Sequence, residues 1–225
     1  MGIYEFAGCV VSYEPLYGLL RRRMETYRSD TERQPDITLD GTKEDYEKLR
    51  KQYPHLSIEE CEYSCAGAEF YMKLLKHQGF MIHASAVEKE GKAYLFSAPS
   101  GTGKSTHAQL WRQTFKGEPI RIINDDKPAV CLQNGVFYAC GTPFSGKTDK
   151  NENRKAPIQG LCMLHRGKTN KIQKITSGEA LPLILPQTLF YGDEEETNLL
   201  LSFLDRFLQS VPVYKMECTM LSLIH

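Results

Sequence analysis

Residues 92–115, KAYLFSAPSGTGKSTHAQLWRQTF, constrain this chain more than any other stretch. Ala93, Tyr94, Leu95 and Phe96 make an apolar run of strand length, and Ala108, Leu110, Trp111 and Phe115 recur along one helical face. Between them lies Ala98-Pro99-Ser100-Gly101-Thr102-Gly103-Lys104-Ser105, a Walker A loop with alanine at its first position. Gly101 and Gly103 let backbone N–H groups turn toward phosphate oxygens, and the succeeding helix adds the positive end of its dipole. Lys104 has the reach for β- and γ-phosphates, and the Ser105 hydroxyl suits Mg²⁺. Strand, loop and helix together predict a nucleoside triphosphate held by Ser100, Gly101, Thr102, Gly103, Lys104, Ser105 and Thr106. The choice among ATP, GTP and pyrophosphate as donor remains open.

Gly141-Thr142-Pro143-Phe144-Ser145-Gly146-Lys147-Thr148 satisfies the same pattern more strictly, with glycine first. The residues downstream of it reverse the ranking. Asp149-Lys150-Asn151-Glu152-Asn153-Arg154-Lys155-Ala156-Pro157 is a polar run ending in proline, so no helix can supply its dipole there. Residues 141–155 are expected to be a mobile cationic loop that closes over the phosphates from the other side; a solvated hairpin tip is the alternative.

Length and composition narrow the rest. At 225 residues the chain can bury a substantial core. Its 28 Lys+Arg balance 28 Asp+Glu, so no global field favours nucleic acid or a membrane surface. Seven cysteines, an odd number without a C-x-x-C or a secretory signal, point to reduced thiols and a cytoplasmic setting. Cys61, Cys65 and nearby His55 make a poor zinc site. Phe6 stands where a myristoylation signal needs serine or threonine.

A strand is expected over Ile3–Ser12, then a helix near 15–27 with Leu16, Leu19, Leu20 and Met24 on one face. Arg21, Arg22 and Arg23 span most of a turn and read as solvated surface. A short strand over Asp36–Leu39 and a charged helix over Thr42–Gln52 come next. Ser57 and Glu60 form a capping box opening a helix that runs to 76 or 77 and stops at Gly79. Phe80–Val87 and Lys92–Ala98 read as strands joined at Gly91. Ile120–Asn124 is a strand ending in Asp125-Asp126, only twenty-one residues past Lys104, which is a Walker B arrangement with carboxylates placed for Mg²⁺ at a strand's C-terminal end. Gln133-Asn134-Gly135 marks a hairpin. Strands over Ile158–Leu164 and Lys171–Ile175, helices near Gly178–Leu185 and after Asp193, and a closing strand over Val211–Glu217 complete the expectation.

Residues 80–160 resemble the nucleotide core shared by HPr kinase/phosphorylase and phosphoenolpyruvate carboxykinase. The resemblance rests on Ile82-His83-Ala84-Ser85-Ala86-Val87, Ser100–Thr106, Asp125-Asp126 and the loop Gly141–Lys147. The chain end VPVYKMEC is similar to that of small carboxykinase-like kinases found with bacterial peptide-modification genes. The resemblance implies an α/β fold with a mixed sheet: a P-loop kinase core over 79–225 and an N-terminal α+β elaboration over 1–78. It also implies roles at a phosphoryl-transfer site for His83 and Asp126; the bare sequence reads His83 as a core residue. The resulting expectation is an ATP- and Mg²⁺-dependent kinase acting on a serine-like hydroxyl of a peptide, protein or small molecule, without carboxykinase activity. Ser105 and Asp125 hold the metal, Asp126 accepts the hydroxyl proton, and Lys147 or Arg154 neutralises developing charge. Asp125 and Asp126 can exchange roles. A nucleotide-gated binding protein and a plain NTPase are the rival readings, and a homo-oligomer stays open.

Overall fold

The computed structural model describes residues 1–115, 117, 119–189 and 193–219. The stretch Ile3–Ser12, expected as one strand, folds back on itself: β1 (Gly2–Phe6) and β2 (Cys9–Tyr13) pair antiparallel around Ala7 and Gly8, with φ of 53° and 79°. An alanine in the first turn position carries none of the usual turn signature, which hides the hairpin in the sequence. After α1 (Gly18–Glu25), β3 (Ile37–Thr38) joins parallel to β2 and completes a three-stranded sheet. α2 (Lys43–Gln52) and α3 (Ile58–Leu74) both open on capping boxes, Thr42 with Asp45 and Ser57 with Glu60. The stop expected at Gly79 falls one residue earlier, on Gln78 in the left-handed region at φ 60°. Gly79 is already in the next strand, where a Cβ would lie 2.8 Å from Leu74 Cγ.

The apolar run 80–87 is not one strand but two. β4 (Gly79–Met81) ends before His83, and β5 (Ala84–Lys89) turns through Glu90 and Gly91 into β6 (Lys92–Ser97). Then come α4 (Lys104–Thr114), β7 (Arg121–Asn124), β8 (Ala129–Gln133) and β9 (Val136–Cys140), the last two joined at Asn134-Gly135 as expected. β10 (Lys155–Arg166), β11 (Lys171–Ile175), α5 (Ser177–Ile184), α6 (Glu194–Ser210) and β12 (Val213–Cys218) complete the described chain. The strands form a nine-stranded mixed sheet in the order β4-β8-β9-β10-β6-β5-β7, with β12 beside β10 and β11 beside β12.

One consequence of this pairing positions the site. β5 is antiparallel to both β6 and β7, so β6 and β7 run parallel and end at the edge where β5 begins. The glycine-rich loop leaves β6, Asp125-Asp126 leave β7 and His83 precedes β5, all at that one edge.

Among the described residues three apolar clusters hold the frame, two large ones and a smaller one of Val87, Phe96, Ala98, Ala108, Cys162 and Leu164 beneath the glycine-rich loop. The apolar stripe of α6, Leu200, Phe203, Leu204 and Phe207, packs with Phe80, Leu95, Phe137 and Leu161. A second cluster joins the N-terminal sheet and α3 to Met81, Ala129, Cys140 and Phe144. Phe144 is 0% exposed, and burying such a ring stabilises the fold by about 2–3 kcal/mol. The mobile loop expected over 141–155 is therefore anchored at its start, because Thr142, Phe144 and Ser145 are buried. Among the described residues no helix is long and apolar enough to cross a membrane.

Candidate active site

Gly101 and Gly103 have φ of 77° and 118°, and a Cβ on either would meet nothing within 4 Å. Glycine supplies a left-handed backbone in open space here, not room for close packing. Gly103 is the N-terminal cap of α4 and its cap makes no side-chain hydrogen bond, so first-turn N–H groups stay available to an anion. Lys104 is only 7% exposed, and its Nζ donates to the Ala98 carbonyl at 3.0 Å. Burial pulls its ammonium below the ordinary lysine value, with the charges of Asp126 and Asp125 opposing that effect.

The two aspartates have different surroundings. Asp125 is buried; its Oδ1 accepts the Ser85 hydroxyl at 2.6 Å, and its Oδ2 has no hydrogen-bond partner. Asp126 is half-buried, with Oδ1 3.3 Å from His83 Nε2 and Oδ2 3.3 Å from Lys127 Nζ. Burial alone would raise the Asp126 carboxyl, but the hydrogen bonds and charges of His83 and Lys127 outweigh it and hold the group below the usual carboxylate range. His83 is not a core residue on an unbroken strand. Its backbone N–H donates to the Gln187 carbonyl at 2.7 Å, its carbonyl accepts the Ser97 hydroxyl at 2.8 Å, and its Nδ1 lies 3.2 Å from Gln187 Oε1. Those bonds break the strand at residue 83 and turn the ring toward Asp126.

The segment after β9 forms the facing wall. A Cβ at Gly146 would lie 2.6 Å from Asp126 Oδ2, so this backbone rests directly against the carboxylate. The Gly146 N–H donates to the Tyr63 hydroxyl at 2.9 Å, while Arg23 donates to the Gly146 carbonyl at 2.8 Å and pairs with Asp149 at 2.9 Å. Arg23 and Lys127 both lie over the Tyr63 ring, 4.8 and 5.4 Å from its centre. Lys147 stands exposed at the rim.

These parts enclose a cleft of about 620 Å³. Of the residues expected at a site, Ser100, Gly101, Gly103, Lys104, Ser105, Thr106, His83, Asp125, Asp126 and Lys147 line it. Thr102 does not; it lines a neighbouring cavity on the other side of the loop. Arg154, expected to neutralise developing charge, does not line the cleft. Its guanidinium pairs with Glu88 at 2.7 Å and Glu152 at 3.6 Å, and it borders a separate depression with Arg33 and Lys155. Two carboxylates capture it as a structural cation away from the cleft.

Arg23, Tyr63, Lys127 and Gln187 belong to the site although no motif points to them. For Arg23 the sequence does hold a signal: it stands four residues after Leu19 and three after Leu20, so helical spacing puts it on the apolar face, whereas Arg21 and Arg22 are exposed. Tyr63 and Gln187 reach the site through long-range packing that no local pattern records.

The residues present fit a magnesium nucleotide. Asp125 Oδ2 is a buried carboxylate oxygen without a partner, near the Lys104 ammonium and beside an open glycine cradle. No protein-family model matches the chain, and no curated protein matches it. Among solved structures the chain is similar to the Hpr(Ser) kinase/phosphatase from Coxiella burnetii, with 11% sequence identity and a TM-score of 0.36 over 64% of this chain and 87% of that one. At that distance no site or activity carries across, and the chain's own residues must supply the reading.

Proposed function

We propose that this protein is an ATP- or GTP-dependent phosphotransferase that moves the γ-phosphoryl group to a hydroxyl on a peptide, protein or small molecule. The observation that carries the reading is the shared edge at which the glycine-rich loop, Lys104, the two aspartates and His83 meet in one cleft. The backbone of residues 100–106 and the Lys104 ammonium bind the phosphates. Ser105 and Asp125 would hold Mg²⁺, which when bound neutralises phosphate charge. Asp126 is the base: the acceptor oxygen bonds to the γ-phosphorus as the bond to the bridging oxygen breaks, the hydroxyl proton passes to an Asp126 oxygen, and the nucleoside diphosphate leaves. His83, tied to Gln187, holds the Asp126 carboxylate in place. Lys147 at the rim is set to meet charge on the transferring group.

The difference between the aspartates sharpens the role assignment. Asp125 is enclosed and keeps one oxygen unpaired, as suits a metal ligand; Asp126 is partly open to the cleft, as suits a base that must meet an acceptor. The test is transfer of radiolabelled γ-phosphate to candidate peptides and hydroxylated metabolites. Asp126→Asn is expected to keep Mg·ATP binding while losing about 10²–10⁴-fold in transfer. Asp125→Asn is expected to weaken Mg-dependent nucleotide binding itself. Near-normal transfer in both variants would show that the acidic pair is only a turn.

A further inference from the structure

Away from the cleft, the fold leaves a strand edge open and charged. β11 pairs only with β12, so among the described strands it ends the sheet with one row of backbone N–H and C=O groups unpaired. The approach to that edge is cationic. Residues 166–174, RGKTNKIQK, hold Arg166, Lys168, Lys171 and Lys174 and no carboxylate, in a chain whose charges balance overall. The three lysines are exposed, and among the described residues none of them is in an ion pair. Lys171 stands opposite Glu217 in the ladder without reaching ion-pair distance. Ile172 is 58% exposed, and it extends a row that runs from Leu164 through Met216 across three neighbouring strands. That row stops at solvent on an apolar side chain.

We infer that β11 takes up an extended acidic peptide segment as an additional strand. Main-chain groups of the segment bond along the open edge, which gives affinity without regard to sequence. Side chains then set the chemistry. On the added strand, acidic residues fall opposite Lys171 and Lys174 and an apolar one falls opposite Ile172, where it prolongs the row from Leu164 and Met216. A segment of the pattern Glu-Val-Val-Glu meets all three in either strand direction. Charge favours such a partner over a second copy of this chain, since pairing β11 with itself would gather the lysines of both copies at one seam. Docking at this edge is independent of the chemistry in the cleft, but the two are connected: Arg166, at the end of β10, donates to the Gly101 carbonyl of the glycine-rich loop at 2.7 Å.

Fluorescence polarisation with a labelled peptide of two Glu-Val-Val-Glu units tests the inference, against one control with glutamine for glutamate and another with proline for valine. The acidic peptide should bind at least about tenfold more tightly than either control, the order expected from two or three cross-strand charge pairs. The proline control keeps the charges but lacks the N–H groups a ladder needs. Lys171→Glu combined with Lys174→Glu should weaken binding about tenfold or more and leave Mg·ATP binding unchanged, because both side chains are exposed and outside the cleft. Hydrogen exchange on the intact protein reads the site without any variant: the acidic peptide should slow the amides of residues 171–175. Absence of binding, equal binding of either control, an unchanged affinity in the folded variant, or protection that spares β11 would each overturn the inference. The lysines would then only guard a bare edge.

Discussion

Two loops in this chain carry nearly the same glycine-lysine pattern, and the structure uses them in opposite ways. In Ala98–Ser105 the glycines are open, with nothing near a would-be Cβ, and α4 begins at the lysine. In Gly141–Thr148 the first glycine is a packing residue, since a Cβ would lie 1.8 Å from the Glu152 carbonyl oxygen. Its Phe144 meets the rings of Phe70 and Tyr71, both at 5.8 Å, in the second core. The first loop presents backbone to the cleft; the second is a buttress whose tip, Gly146-Lys147, forms the opposite wall. The pattern alone cannot tell the two apart. They are separated by the element each one leads into and by the side chains between the glycines, a lone Thr between Gly101 and Gly103 in one and Thr-Pro-Phe-Ser in the other.

This contrast can be broken most strongly at Phe144. Phe144→Ala should cost about 3–5 kcal/mol of stability, read as a lower unfolding midpoint in denaturant, because it empties a site between two layers. A change near zero would mean that the second loop does not anchor the core. Gly141→Ala against Gly101→Ala comes next. The first should destabilise by about 1–3 kcal/mol through overpacking against backbone. The second should cost about 1–2 kcal/mol through its left-handed φ and should do its main harm to nucleotide binding. Equal effects of both substitutions on binding would erase the distinction between the loops. The smallest effect is expected from Tyr63→Phe, which removes the hydroxyl that accepts from Gly146 and should cost about 1 kcal/mol while altering the acceptor side more than ATP affinity. An ATP affinity that falls with Tyr63→Phe as far as with a glycine-rich-loop variant would contradict that order.

The parts of the fold most legible in the sequence are those fixed by local chemistry. The Ser57–Glu60 capping box, the Asn134-Gly135 hairpin with φ of 49° and 81°, and the strand-loop-helix over 92–115 all depend on neighbours a few residues apart. The break at His83 is invisible there because it is imposed from outside, by Gln187 a hundred residues away, on a run that reads as continuous strand. Arg154 misleads for the same reason. Its sequence position within the cationic stretch 141–155 suggests a phosphate ligand, but Glu88, on β5, holds it elsewhere. The candidate site is therefore legible as a set of motifs; helical spacing marks Arg23 as facing inward, but its place in the wall, like that of Tyr63, becomes visible only once α1 and α3 are packed against the second loop.

Lys104 and Lys147 provide the most direct test of the claim that the first loop, not the second, anchors the nucleotide's phosphates. Mg·ATP affinity and γ-phosphate transfer would be measured for Lys104→Ala and Lys147→Ala side by side, with thermal melts confirming that both variants fold. Lys104→Ala should lose about 10²–10³-fold in transfer, because it removes the buried cation beside the aspartates, and Lys147→Ala should lose about tenfold or less from its exposed rim position. Loss of ATP binding in Lys147→Ala with normal binding and transfer in Lys104→Ala would contradict the account and move the phosphate site to the second loop.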